Sequence, residues 1–124
     1  MPSSIKKTFN DFVKNSLNEP QRAAVNQESG ALQVIAGAGS GKTRVITSRI
    51  ANLIINHGIE PRSIVALTFT NKAAGEMKQR LASTFQTYHQ LPFIGTFHSY
   101  CLMQLRTHAR LLPFPSFSIM DADD

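Results

Sequence analysis

The sequence predicts an α/β protein: a parallel sheet with helices on its faces. Three observations point there. Short apolar, partly β-branched runs alternate with stretches whose apolar residues recur at helix spacing, and those helices are long enough to cross from one strand to the next. A glycine-rich turn ending in Lys-Thr joins the first apolar run to the helix behind it. The composition, 42% hydrophobic and 17% charged with 7 Gly and 6 Pro in 124 residues, belongs to a chain that buries a core, which excludes collagen-like, low-complexity and disordered classes. That length gives room for one domain and too little for two.

The elements follow in order. Phe9, Phe12 and Val13 share one possible helical face in an otherwise polar first sixteen residues. Asn18 is a good N-cap and Pro20 suits a first turn, so a short helix runs to about Gln27, and Ser29-Gly30 breaks it. The run 31–36 reads as a buried strand. From Lys42 the spacing of Val45, Ile46, Ile50, Leu53 and Ile54 predicts a helix, stopped by Gly58 with Pro61 beyond. A second strand covers 63–70. Asn71 can cap a third helix that turns Ala74, Met77 and Leu81 inward, and 84–92 reads as a loop. A third strand is expected at 93–97 and a fourth helix at 98–112, ended by Pro113 and Pro115. In parallel sheets ligands gather at the carboxyl ends of strands. The candidate sites at 36–43, 69–72 and 96–99 all fall there.

Charge narrows the partners. Thirteen Lys and Arg stand against eight Asp and Glu, and three of the eight are Asp121, Asp123 and Asp124; residues 1–120 therefore carry thirteen against five, or +8. Such a balance favours a polyanion, nucleic acid or nucleotide phosphate, although a merely soluble basic protein shows it too. The single Cys101 excludes an intrachain disulfide framework and a zinc site of several thiolates. No apolar run approaches the roughly eighteen residues a membrane span needs, and Lys6 and Lys7 lead into polar residues rather than a signal sequence. The expectation is a cytoplasmic protein without a membrane partner.

Ala36-Gly37-Ala38-Gly39-Ser40-Gly41-Lys42-Thr43 carries the chemistry. It matches the phosphate-loop pattern G-x-x-x-x-G-K-[ST] at every fixed position but the first, where Ala36 stands for Gly. Glycines let backbone N–H groups converge on phosphate oxygens, and the helix N-terminus adds the positive end of its dipole. Lys42 can reach the β- and γ-phosphates, and the Thr43 hydroxyl can ligate Mg²⁺. The strand before and helix behind are the context this motif demands.

Leu17-Asn18-Glu19-Pro20-Gln21, Ala36 to Arg44, Ala66 to Met77 and Gly95 to Cys101, in this order and spacing together with Phe117 to Asp124, resemble the front of the UvrD/Rep-type superfamily 1 DNA helicases. The Ala-first loop is that family's usual form. The resemblance implies a RecA-like P-loop NTPase fold, ATP with Mg²⁺ as cofactor and single-stranded DNA as partner. It also divides the chain into a lead-in at 1–16, the first part of motor domain 1A at 17–98 and the start of the inserted 1B subdomain at 99–124.

Residue roles come with it. Gln21 falls in a segment like the Q motif, where a side-chain amide pairs with the adenine edge; alone it would read as an exposed helix glutamine. Arg44 matches an arginine that lies against the adenine ring, or else is a solvated helix arginine. Phe69, Thr70, Asn71 and Lys72 resemble motif Ia, a ring to stack on a base with polar groups beside it for phosphates; without the resemblance Phe69 reads as a core aromatic. Thr96, His98 and Ser99 resemble the DNA-facing motif Ib, and His98 could equally cap a helix. Its lack of a partner at ligand spacing argues against a metal. Tyr100 and Cys101 are expected to pack inward.

The DExx motif and those after it have no counterpart in the sequence given. Asp121 could be a magnesium partner, but the resemblance makes it an ordinary residue early in 1B. The expectation is the ATP-binding front part of an enzyme that translocates 3′ to 5′ on single strands, inactive as a hydrolase by itself and prone to self-association through an open sheet edge. Three alternatives stay open: part of a helicase–nuclease subunit, a small complete P-loop kinase or NTPase, and a non-catalytic basic DNA-binding module.

Overall fold

Among the described residues five helices accompany a short parallel sheet of two strands. The computed structural model describes residues 3–27, 29–35, 41–86 and 90–113. Helix α1 spans Ser3–Ser16 and buries Phe9 and Val13, two positions one turn apart on the face read from the sequence. Helix α2, Glu19–Asn26, starts with a full capping box: the Gln21 backbone N–H donates to Asn18 Oδ1, and the Asn18 N–H donates to Gln21 Oε1, both at 2.9 Å. Helix α3, Lys42–Ile55, opens at Gly41, whose φ of +84° an L side chain adopts at a cost. Its C-terminal turn leads through Gly58, also left-handed at φ +66°.

A 3₁₀ turn at Pro61–Ser63 feeds strand β1, Val65–Thr68. Helix α4, Asn71–Phe85, crosses over to strand β2, Phe93–Thr96, which pairs with β1 in parallel; Val65 faces Phe93 and Thr68 faces Thr96 at the two ends of the ladder. This is the β–α–β unit that the alternating pattern predicts. Helix α5, Phe97–Thr107, starts directly off β2 and is followed by a 3₁₀ turn at Ala109–Leu111.

The core lies between α1, α2, α3, α4 and the sheet. Leu81 and Val25 are its most enclosed large residues, joined by Met77, Ile50, Ile55, Val45 and Ile94. Ala74, Met77 and Leu81 form the inward face of α4, as their spacing predicts. Replacing Leu81 by Ala would cost about 2–5 kcal/mol, the range for a fully buried leucine. The buried Asn52 joins two helices: its Nδ2 donates to Val25 O at 3.2 Å, tying α3 to the end of α2, while its Oδ1 accepts from Asn56 Nδ2 at 2.7 Å at the end of α3. Among the described residues no buried side-chain polar atom lacks a partner.

Several expectations need correcting: the second strand is Val65–Thr68 rather than 63–70, and α4 runs to Phe85, into the stretch read as a loop at 84–92. Residues 31–35 form no strand: Leu32, Val34 and Ile35 are 41%, 49% and 89% exposed. Apolar character alone does not make a strand, because its N–H and C=O groups need a ladder, and among the described residues β1 and β2 pair only with each other. Among the described residues the parallel sheet is thus two-stranded, not the three strands that the sequence predicts. The cap of α4 is Thr70 rather than Asn71: its hydroxyl accepts from the Ala73 N–H at 3.1 Å. Phe97 belongs to α5, not to β2, because the preceding Thr96 takes the cap position. Helix α5 stops at Thr107 rather than 112. Cys101 is exposed instead of packed inward, since the α5 face that meets the sheet carries Tyr100, whose ring stands edge-on to Phe93 with centroids 5.4 Å apart. The segment 114–124, including Asp121, lies outside the described residues.

Candidate functional site

The nucleotide candidates divide into those described and those not. Ala36, Gly37, Ala38, Gly39 and Ser40 lie outside the described residues, while Gly41, Lys42, Thr43, Arg44 and Gln21 are placed. Gly41 turns the chain into α3. Lys42 in the first helical position is exposed, and Thr43 next to it is half-buried. Among the described residues the Val45 N–H donates to Gly41 O at 3.1 Å and closes the first turn of α3. A helix N-terminus carries the positive end of the helix dipole, which favours an anion.

Gln21 reaches this junction from α2. Its Oε1 accepts from the Asn18 backbone, which aims Nε2 at Gly41: a Cβ built on Gly41 would come within 3.2 Å of it. The amide is therefore both a helix cap and the neighbour of the turn into α3. Its donor end faces the turn and its acceptor is already engaged once.

Arg44 is held by α1. Its Nη2 donates to Ser16 O at 3.0 Å, and its Cζ lies 5.0 Å from the centre of the Phe12 ring. Ser16 is the last residue of α1, where carbonyls lack helical partners and a cation is favoured. The same device recurs. Arg22 donates from Nη1 to Leu17 O and to Lys14 O, and Arg49 Nη1 donates to Ala24 O at 2.7 Å and Gln27 O at 2.8 Å at the end of α2. Arg62 pairs with Glu60 at 2.6 Å on the surface. Part of the positive charge that the sequence attributes to a polyanionic partner thus serves the protein's own carbonyls and one of its carboxylates.

The second cluster sits where both strands end. Thr68 and Thr96 are register partners, so the residues after them emerge together. Phe69 is 90% exposed and Phe97 45%, with ring centroids 5.3 Å apart. Thr70, Asn71, Lys72 and His98 are exposed beside them, and Ser99 is half-buried. Thr96 is different: it is buried, its Oγ1 accepts from the Ser99 N–H at 3.1 Å and donates to Ser99 Oγ at 2.9 Å. Its hydroxyl caps α5, and Ser99 backs that cap. Sequence reasoning missed Phe97, which shares the exposed aromatic face. The available signal was Thr96 as an N-cap, which moves Phe97 off the strand and onto the first turn of a helix. Phe12 and Ser16 were also missed, and no local pattern links them to Arg44, 28 residues on from Ser16.

Among the described residues no group of three or more His, Cys, Asp or Glu could hold a metal ion. No helix among them is long and apolar enough to cross a membrane.

Residues 17–124 match the UvrD/REP helicase N-terminal domain. The chain is 45% identical over 116 residues to ATP-dependent DNA helicase UvrD1 of Mycobacterium tuberculosis, covering 92% of this chain and 15% of that protein. It is 45% identical over 117 residues to ATP-dependent DNA helicase PcrA of Staphylococcus epidermidis, covering 94% and 16%. It is 49% identical over 115 residues to DNA helicase II of Haemophilus influenzae, covering 89% and 16%. The chain therefore spans about a sixth of the length of these relatives. On the match over residues 17–124, the chain belongs to the UvrD/REP helicase N-terminal domain family.

Proposed function

We propose that this chain is the ATP-binding front part of a 3′–5′ DNA helicase of UvrD type, serving DNA repair or replication in the cytoplasm. Residues 36–44 hold the phosphates of ATP, with Lys42 at the β- and γ-phosphates and the Thr43 hydroxyl toward Mg²⁺. Gln21 and Arg44 meet the adenine, and the strand-end face of Phe69, Thr70, Asn71, Lys72, His98 and Ser99 meets single-stranded DNA. Thr96 supports that face through its cap rather than by contact. The observation that carries the nucleotide half is the junction at Gly41. A left-handed glycine is followed by Lys42 and Thr43 in the first turn of α3, with the Gln21 amide against it, in a chain of this family. The domain division at 17–98 and 99–124 is part of the same proposal.

Mg²⁺-ATP binding to the 124-residue chain, measured by calorimetry, tests it. Binding that Lys42→Ala abolishes is the expected result. Undiminished binding in that variant overturns the phosphate-loop assignment. Steady-state turnover is expected to stay at background with or without single-stranded DNA, because the sequence given offers no DExx carboxylates to orient the attacking water. DNA-stimulated turnover lost in Lys42→Ala would instead favour a complete small NTPase.

A further inference from the structure

We propose that α1 is a positioning element of the nucleotide site, with Phe12 and the Ser16 carbonyl fixing the guanidinium of Arg44 in the plane in which it receives the purine base. This rests on the assignment of Arg44 to adenine made above and adds to it the residues that aim it. The juxtaposition is specific. Arg44 stands in the first turn of α3, two residues beyond Lys42, so the direction of its side chain decides whether it meets a base whose phosphates lie at that helix end. A free arginine explores many rotamers, and ordering one on ligand binding costs affinity.

Here two contacts from α1 do the ordering in advance. The Phe12 ring takes one face of the guanidinium at 5.0 Å, and Ser16 O takes one edge through Nη2 at 3.0 Å. Phe12 is itself packed against the core, so the platform is rigid. Arg44 remains half-buried rather than enclosed, which leaves part of the group open to a ligand. A planar cation with an aromatic ring on one face and a base on the other makes a three-layer stack. The acceptor at its edge is the carbonyl of the last residue of α1, a helix end where a cation is favoured.

The consequence is selective. Phe12 should matter for ligands that carry a base and not for the phosphate chain. The experiment compares Mg²⁺-ATP with inorganic tripolyphosphate on the 124-residue chain, in the parent, Phe12→Leu, Phe12→Tyr, Arg44→Ala and the Phe12→Leu/Arg44→Ala double variant. Leucine keeps apolar bulk against the core while removing the ring face, and thermal unfolding followed by circular dichroism checks that each variant is folded. The expected result is an ATP Kd raised about fivefold in Phe12→Leu, restored in Phe12→Tyr, with tripolyphosphate affinity unchanged and no further loss when Phe12→Leu is added to Arg44→Ala. Equal losses for ATP and tripolyphosphate, an unchanged or tighter ATP Kd, or additive losses in the double variant would overturn the positioning role while leaving the phosphate loop intact. Absence of ATP binding by the parent, or binding indifferent to Lys42→Ala, would overturn the nucleotide assignment and this inference together.

Discussion

Phe69 and Phe97 stand side by side, ring centroids 5.3 Å apart and planes tilted by 36°, because the residues before them, Thr68 and Thr96, are partners at the carboxyl end of a parallel ladder. Two aromatic rings exposed to this degree gain little from each other's company in water; their value lies in what else can stack on them. Base stacking on an aromatic ring is worth about 1–3 kcal/mol by alanine substitution. Phe69→Ala and Phe97→Ala are each expected to weaken binding of an oligo-dT strand about tenfold at fixed salt, by fluorescence anisotropy, with little change in thermal stability. An effect confined to Phe69 would show that Phe97 only props its neighbour.

Two glycines should respond to alanine with opposite signs. Gly75 lies exposed inside α4 with nothing within 4 Å of an added Cβ, so Gly75→Ala removes backbone freedom from the unfolded chain at no steric cost. A gain of about 1 kcal/mol is expected. Gly95 is buried in β2, and its Cβ would stand 3.1 Å and 3.2 Å from Cζ and Cε1 of the Phe93 ring. Gly95→Ala must displace that ring and with it the edge-on contact to Tyr100. A loss of about 1 kcal/mol is expected, with an altered near-ultraviolet tyrosine signal. Urea unfolding of the two variants in parallel reads both signs.

Gln21 serves a cap and, on the proposal above, a base, and its two roles can be separated. Asn18→Ala removes the acceptor of the Gln21 N–H and should cost about 1 kcal/mol of stability. Gln21→Ala removes the acceptor of the Asn18 N–H and a base contact together. Both variants should unfold earlier by similar amounts, while only Gln21→Ala discriminates between ATP and tripolyphosphate in binding. Equal nucleotide affinities in the two would reduce Gln21 to its capping role.

What the sequence revealed and what it withheld follows the range of the physics. Local rules worked: Asn18 and Pro20 start α2, the Ala74–Met77–Leu81 face is buried, and Gly58 is left-handed. Cap assignments failed by one residue where two candidates adjoin, as with Thr70 and Asn71, because either side chain can accept from the first turn and only backbone conformation decides. Pairing failed at 31–35, since whether an apolar run becomes a strand depends on neighbours far along the chain. The Arg44–Ser16 and Arg49–Ala24 contacts were invisible for the same reason: helix ends attract cations, but which arginine reaches which end is a tertiary fact.

Arg49 shows how much such a fact can weigh. One nitrogen, Nη1, donates to both Ala24 O and Gln27 O, so a single side chain from the middle of α3 closes the carbonyl end of α2. Hydrogen bonds from a charged donor are worth about 1.5–3 kcal/mol each, and both here are part-buried. Arg49→Met keeps the apolar stem and leaves the two carbonyls without this donor, so a loss of about 2 kcal/mol is expected. Arg49→Lys keeps the charge at the helix end, but its shorter side chain brings the ammonium less far toward the two carbonyls that Nη1 reaches; its loss should fall near half that of Met. In urea the midpoint should drop in the order parent, Lys, Met with an unchanged slope, since the fold itself is retained. Equal midpoints for Lys and Met would mean that geometry alone matters at this helix end, and a Lys variant as stable as the parent would mean that charge alone does.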